Sequence, residues 1–155
     1  MTSLEHKIHY SFQDKGNLRL AMTHSSYANE TRSAESNERL EFLGDAVLSI
    51  VVSDYLFQHF HMAEGDLTRT RSALVCEKSL CGFAREIGLG EHLLLGRGEE
   101  ITGGRDRPSV LADAFEALIA AIYLDGGIEQ ARNFILPFVE RALQGEIDQG
   151  FTDYK

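Results

Sequence analysis

From residue 37 to residue 60 the apolar positions Leu40, Leu43, Val47, Val51 and Tyr55 recur at steps of three and four, the period of one helix face. The second half of that stretch adds Leu48, Ile50, Val52, Leu56 and Phe57. A helix apolar nearly all round is expected to be central and buried. Ser36 or Asn37 can cap it, and Glu38 and Glu41 fall in the first turn, where the helix dipole favours acids. Gly65-Asp66 opens a second helix with Asp66 as its cap; it runs through Leu67, Leu74 and Val75, in one or two pieces, to about Ile87, where Gly88-Leu89-Gly90 stops it. Residues 96–108, rich in glycine and arginine, read as a flexible loop. Ser109 is then expected to cap a third strong helix over 110–124, ended by Gly126-Gly127. A last amphipathic stretch uses Ile128, Ala131, Phe134, Ile135, Phe138, Val139 and Leu143, with Pro137 expected to divide it. A short helix near 18–23 completes the pattern. No segment alternates with period two over a useful length, so the fold class is all-α.

Composition narrows the class. The chain has 155 residues, the size of one domain, with 43% hydrophobic and 25% charged residues, which argues against disorder. The longest clean apolar run, 117–124, is far too short to span a bilayer, and residues 1–12 hold no apolar leader segment. Membrane association is therefore not expected. Two cysteines, Cys76 and Cys81, match neither a disulfide framework nor a zinc pattern. They point to a reduced, cytoplasmic chain. Net charge is −9 and is shared between the halves: residues 1–77 carry 7 basic and 11 acidic residues, the remainder 8 and 13. Alone, that balance opposes tight nucleic-acid binding. A metal bound by acids reverses the sign locally.

The acids themselves are placed unusually. In the 110–124 helix only Asp113 and Glu116 are charged, three residues apart on one side, with no Lys or Arg in the helix to pair with them. In the helix from residue 37, Glu38, Glu41 and Asp45 step by three and four along one stripe, which continues as Val52 and Leu56 instead of a solvent face. Burying unpaired carboxylates is costly unless they are neutralised, paired or metal-bound. A salt bridge or a solvated first turn would explain one stripe; two stripes on two buried helices suggest one shared site. An all-oxygen ligand set suits Mg²⁺ or Mn²⁺, and such a cation activates water and clamps phosphate oxygens. Phosphodiester hydrolysis is the natural chemistry. Weaker candidates are His59 and His61, His24 (which has no partner pattern), and Arg97, Arg105 and Arg107, which could touch a phosphate chain. The glycines of 96–104 make no phosphate loop, since no Gly-Lys-Ser/Thr follows.

The block Asn37-Glu38-Arg39-Leu40-Glu41-Phe42-Leu43-Gly44-Asp45 resembles the signature of the ribonuclease III family, endonucleases of double-stranded RNA. Leu111-Ala112-Asp113-Ala114-Phe115-Glu116-Ala117-Leu118-Ile119 matches the family's second block, and Glu64-Gly65-Asp66-Leu67 and Leu95-Gly96-Arg97-Gly98-Glu99 fall between them as in bacterial members. The resemblance covers roughly residues 4–144, in order. It implies an all-α endonuclease domain in a symmetric homodimer, with Phe42 inserting into the partner. It implies Mg²⁺, replaceable by Mn²⁺, held by Glu41, Asp45, Asp113 and Glu116. Asp45, Glu116 and Glu38 would be the catalytic acids, and Glu38 and Glu64 would lie near the substrate. Products would be 5′-phosphate and 3′-hydroxyl ends with short 3′ overhangs, in the processing of rRNA and mRNA. Residues 1–148 are expected to form the catalytic domain. Residues 149–155 are expected to be a linker towards an absent double-stranded-RNA-binding domain, whose basic surface would account for the −9.

Two other readings are weighed against this. A helical di-metal oxidoreductase wants Glu-x-x-His pairs, and no Glu here has His three residues later. A non-catalytic RNA-binding or assembly subunit of the same fold would be free to lose its acids, and this chain keeps them all.

Overall fold

A computed structural model of the chain describes residues 1–32 and 35–148. The expected linker, 149–155, lies outside the described residues. In chain order the helices are α1 (Ser3–Ile8), α2 (Lys15–Ala21), α3 (Ser25–Glu30), α4 (Glu38–His59), α5 (Glu64–Val75), α6 (Glu77–Glu86), α7 (Arg97–Ile101), α8 (Pro108–Gly126) and α9 (Ile128–Asp148). Short 3₁₀ turns cover Leu89–His92 and Gly104–Asp106. Among the described residues no sheet forms; one isolated parallel bridge joins Thr23 to Leu94. The all-α expectation holds. No helix among the described residues is long and apolar enough to cross a membrane.

Helix α8 is the axis of the core. Every residue from Val110 to Ile122 except Asp113 is buried, and α2, α4, α6 and α9 all pack against it. Small residues on α8 (Ala112, Ala114, Ala117, Ala120, Ala121) let these neighbours approach, while Phe115 fills the centre. Its ring meets Phe83 of α6 and Phe134 and Phe138 of α9 at centroid separations of 5.3–5.8 Å, an aromatic cluster in tilted and edge-on contact.

Several boundaries differ from the sequence pattern, each for a local reason. Helix α8 starts at Pro108, not after a Ser109 cap; proline at the first helical position loses no hydrogen bond there. Asp66 is not the cap of α5 but its third residue, paired with Arg69. The long helix after it does break in two, at Cys76, whose extended backbone interrupts the run and where the Ser79 hydroxyl donates to the Ala73 carbonyl at 2.6 Å. Pro137 does not divide α9: the helix passes through it. Pro137 is exposed, and buried Phe134, Ile135, Phe138 and Val139 clamp the helix on both sides of it. Helices α1 and α3 have weak apolar patterns and were not expected. A capping box of Thr2 and Glu5 starts α1. Glu5 is fully buried, accepts from the Phe12 backbone at 2.6 Å and meets Lys15 Nζ at 2.7 Å.

The 96–108 segment is neither a plain loop nor loosely held. Besides α7 and a 3₁₀ turn, it is tied to α3: the Ser26 hydroxyl accepts from Gly96 N at 2.8 Å and Glu30 accepts from Arg97 N at 2.6 Å. Helix α4 also departs from expectation. Ile50 and Phe57, in the half expected to be buried, are 58% and 69% exposed, and Phe42 is 83% exposed. One long side of α4 therefore remains open in the single chain.

Candidate active site

The two acidic stripes meet where α4 crosses α8, and Gly44 permits the crossing. A Cβ at position 44 would lie 1.8 Å from the Glu116 carbonyl oxygen and 2.6 Å from its carbon. Those are backbone atoms and cannot swing aside, so a residue without a side chain is required. The first turns of α4 are set by Asn37, whose side chain donates to the Ala21 carbonyl at 3.0 Å, and by Ser36, whose hydroxyl accepts from Glu38 N at 3.3 Å.

With the helices so placed, one carboxylate oxygen from each of Glu41, Asp113 and Glu116 lies within 4.8 Å of the other two. Glu41 shares a hydrogen bond with Asp113, and Asp45 shares one with Glu116. Glu38, Glu41, Phe42, Asp45 and Glu116 line an open hollow of about 430 Å³. No Lys or Arg forms an ion pair with any of these acids among the described residues. The cost appears as proton affinity. Burial, then the hydrogen bond and charge of Asp45 and the charges of Glu41 and Asp113, push Glu116 up to about 8. Burial, then Asp113, Glu38 and Asp45, push Glu41 up to about 7. Asp113 is raised too, by burial and Glu77, against the downward pull of Glu41's hydrogen bond and His24.

The donor set fits a hard divalent cation. Mg²⁺ binds oxygen at about 2.0–2.1 Å in octahedral geometry, which places opposite ligands roughly 4 Å apart. The oxygens of Glu41, Asp113 and Glu116 are near that spacing already, and a cation removes the repulsion that otherwise drives proton uptake.

The remaining expected residues lie in different settings. Glu64 is exposed at the start of α5 and is not among the charges that act on Glu41, Asp113 or Glu116. Arg97 is exposed at the start of α7. The Arg105 guanidinium pairs with Glu100 and donates to the Gly90 and Leu93 carbonyls at 2.7 and 2.8 Å. Arg107 pairs with Glu99 and donates to the Thr102 carbonyl at 3.0 Å. Two of the three arginines are thus engaged in holding their own segment together. Sequence reasoning missed three neighbours of the site: Gly44 at the crossing, Glu77 acting on Asp113, and His24 acting on the same acid. A glycine inside an apolar helix was a signal for the first; the other two come from distant segments and left none.

A family profile described as Ribonuclease-III-like matches residues 14–142. The chain is 52% identical to Ribonuclease 3 of Caldanaerobacter subterraneus, aligned over 100% of this chain and 69% of the relative. It is 53% identical to Ribonuclease 3 of Geobacillus kaustophilus, over 95% of this chain and 59% of the relative. Among solved structures it is similar to the nuclease domain of ribonuclease III from Campylobacter jejuni, with TM-score 0.85 and 46% identity over 90% of this chain and 95% of that one. That structure is described as flexible in a region involved in dimer formation. A Dicer from Pichia stipitis is a more distant likeness, with TM-score 0.58 and 27% identity over 88% of this chain and 57% of that one. With the acids of α4 and α8 gathered at one crossing, these matches show that the chain belongs to the ribonuclease III family of endoribonucleases.

Proposed function

We propose that the chain hydrolyses phosphodiester bonds of double-stranded RNA at the α4–α8 crossing, with Mg²⁺ held by Glu41, Asp45, Asp113 and Glu116 and replaceable by Mn²⁺. The observation that carries this is the convergence of Glu41, Asp113 and Glu116 to within 4.8 Å with no basic partner. When bound, the cation supplies an activated water and charge relief at the phosphate. The chain's own groups hold it and shape the approach. Asp45 and Glu116 share a hydrogen bond across the two helices; with Glu38 at the open side of the hollow they are the acids we assign to the hydrolytic step. Water oxygen bonds to phosphorus and the bond to the ribose 3′ oxygen breaks, leaving a 5′-phosphate and a 3′-hydroxyl. Glu64, Arg97, Arg105 and Arg107 are assigned to the substrate side. The Arg105 and Arg107 pairings then position the segment as well as contribute charge. Its place is RNA processing, including rRNA and mRNA, in the cytoplasm, where free Cys76 and Cys81 stay reduced.

Two staggered cuts with short 3′ overhangs require two such sites, and we propose a symmetric homodimer that provides them. Phe42 stands beside a hollow of about 1020 Å³ lined also by Leu20, Leu40, Leu43 and Leu124. Knob and hollow on the same face are what a two-fold, self-complementary interface needs. The test is cleavage of a long RNA duplex. Cutting is expected in Mg²⁺ and Mn²⁺ and not in Ca²⁺, whose looser geometry and weaker polarisation of water fail the chemistry. Equal rates in Ca²⁺ and Mg²⁺ would contradict the mechanism, and no cutting in any metal would contradict the activity.

A further inference from the structure

We infer that His24 is a positioning residue of the acidic site, its Nε2–H serving as the hydrogen-bond donor that holds the Asp113 carboxylate when a cation occupies the cluster. This rests on the hydrolase reading of the site given above.

His24 is the N-cap of α3. Its Nδ1 accepts from Ser26 N at 3.1 Å and lies 2.8 Å from the Ser26 hydroxyl oxygen. That oxygen in turn accepts from Gly96 N at 2.8 Å, so the hydroxyl proton is directed at Nδ1. Two donors converge on one ring nitrogen, and the neutral ring therefore carries its proton on the other, Nε2. The backbone is held equally firmly. His24 N donates to the Leu94 carbonyl at 3.1 Å, and the preceding carbonyl, of Thr23, accepts from Asn37 N at 2.8 Å, at the entry to α4. The side chains whose charges act on the ring are Asp113, Glu38 and Arg107. A neutral donor of fixed tautomer thus stands beside both acidic stripes.

Asp113 needs such a donor. Its hydrogen bond in the metal-free chain is to Glu41, another carboxylate. A cation among Glu41, Asp113 and Glu116 takes up the oxygens that make that bond. The side chains acting on Asp113 are Glu41, Glu77 and His24, and of these only His24 can donate in the ionised cluster. Ligating carboxylates are oriented by outer hydrogen bonds, and loss of one costs about 10–100-fold in metal affinity or activity.

The test uses two substitutions that keep opposite ends of the imidazole. His24→Asn places an amide oxygen near the position of Nδ1 and remains a favoured helix cap, but has no donor at the Nε2 position. His24→Gln reaches the Nε2 position with an N–H and gives up the cap. Mn²⁺ affinity is measured by titration calorimetry, with the metal-free melting temperature and duplex-RNA cutting alongside. His24→Asn is expected to bind Mn²⁺ about 10–100-fold more weakly and to cut correspondingly less, with its metal-free melting temperature near the wild type's. His24→Gln is expected to recover most of the affinity despite a lower melting temperature. Wild-type affinity in His24→Asn would overturn the inference. Equal loss of affinity in both variants, tracking a fall in metal-free stability, would also overturn it, by making the ring a support of α3 only. A wild type that neither binds Mn²⁺ nor cuts would overturn the hydrolase reading itself, and the inference with it.

Discussion

At the scale of single residues, the position with least tolerance is Gly44. A methyl group there meets the Glu116 backbone at 1.8 Å, so α4 must lift away from α8. Overpacking of this kind costs about 1–3 kcal/mol or more, and here it also spreads the acids. Gly44→Ala is expected to lower the melting temperature and to weaken Mn²⁺ binding together; an unchanged pair of values would mean the helices do not cross this closely. Glu5 gives a separate prediction. Burial pushes its carboxyl up, but Lys15 and hydrogen bonds from Thr2 and Phe12 outweigh that and hold it near 2, below its ordinary 4.5. A depressed acid stabilises the fold above its unfolded pKa, and that stability disappears as pH falls towards the folded value. The melting-temperature difference between wild type and Glu5→Gln should therefore be large at pH 6 and shrink between about pH 4.5 and 2. The acids of the site were legible because charge on an apolar helix stands out. Glu5 was not, because one acid in a polar amino-terminal stretch looks solvated until the fold buries it.

Between helices, the α4–α8 crossing carries the opposite pH sign. Glu41 and Glu116 are raised to about 7 and about 8 from an ordinary 4.5. The folded chain therefore holds protons that the unfolded chain has lost, and stability falls as pH rises through this range. Without metal, the melting temperature is expected to drop between about pH 5 and 8; saturating Mg²⁺ should flatten the drop. A metal-free profile that rises over that interval would contradict the mutual repulsion of the acids. The helices themselves were legible where apolar periodicity was strong, as in α4 and α8. Their ends were less so: Pro108 starts α8 and Pro137 passes inside α9, because packing of the flanking apolar residues decides whether a proline ends a helix. The 96–108 segment misled for a related reason. Its glycines suggested mobility, while its backbone is bound by Ser26 and Glu30 from a distant helix.

For the whole molecule, the open side of α4 is the feature that a single chain does not explain. Phe42, Ile50, Phe57 and Leu124 are each more than half exposed, and large apolar surface of this kind marks an interface. Sedimentation at micromolar concentration should give a dimer, and Phe42→Ala should shift it towards monomer while leaving the melting temperature of the monomer nearly unchanged. A wild-type monomer would contradict the proposed assembly. The sequence pattern treated this half of α4 as core, since periodicity cannot tell burial within a chain from burial between chains. The central claim is that the four acids of α4 and α8 exist for a metal and not for the scaffold. Melting curves of wild type and Asp45→Asn, each in EDTA and in Mg²⁺, test it most directly. Tenfold excess of Mg²⁺ over its dissociation constant should stabilise the wild type by about 1.4 kcal/mol per independent site, or about 3–6 °C at this chain length. Asp45→Asn should lose most of that rise and, in EDTA, be as stable as the wild type or more so, because one repelling charge is gone. A loss of several kcal/mol by Asp45→Asn in EDTA, with no rise on adding Mg²⁺ to the wild type, would show that the acids are structural and contradict the metal site.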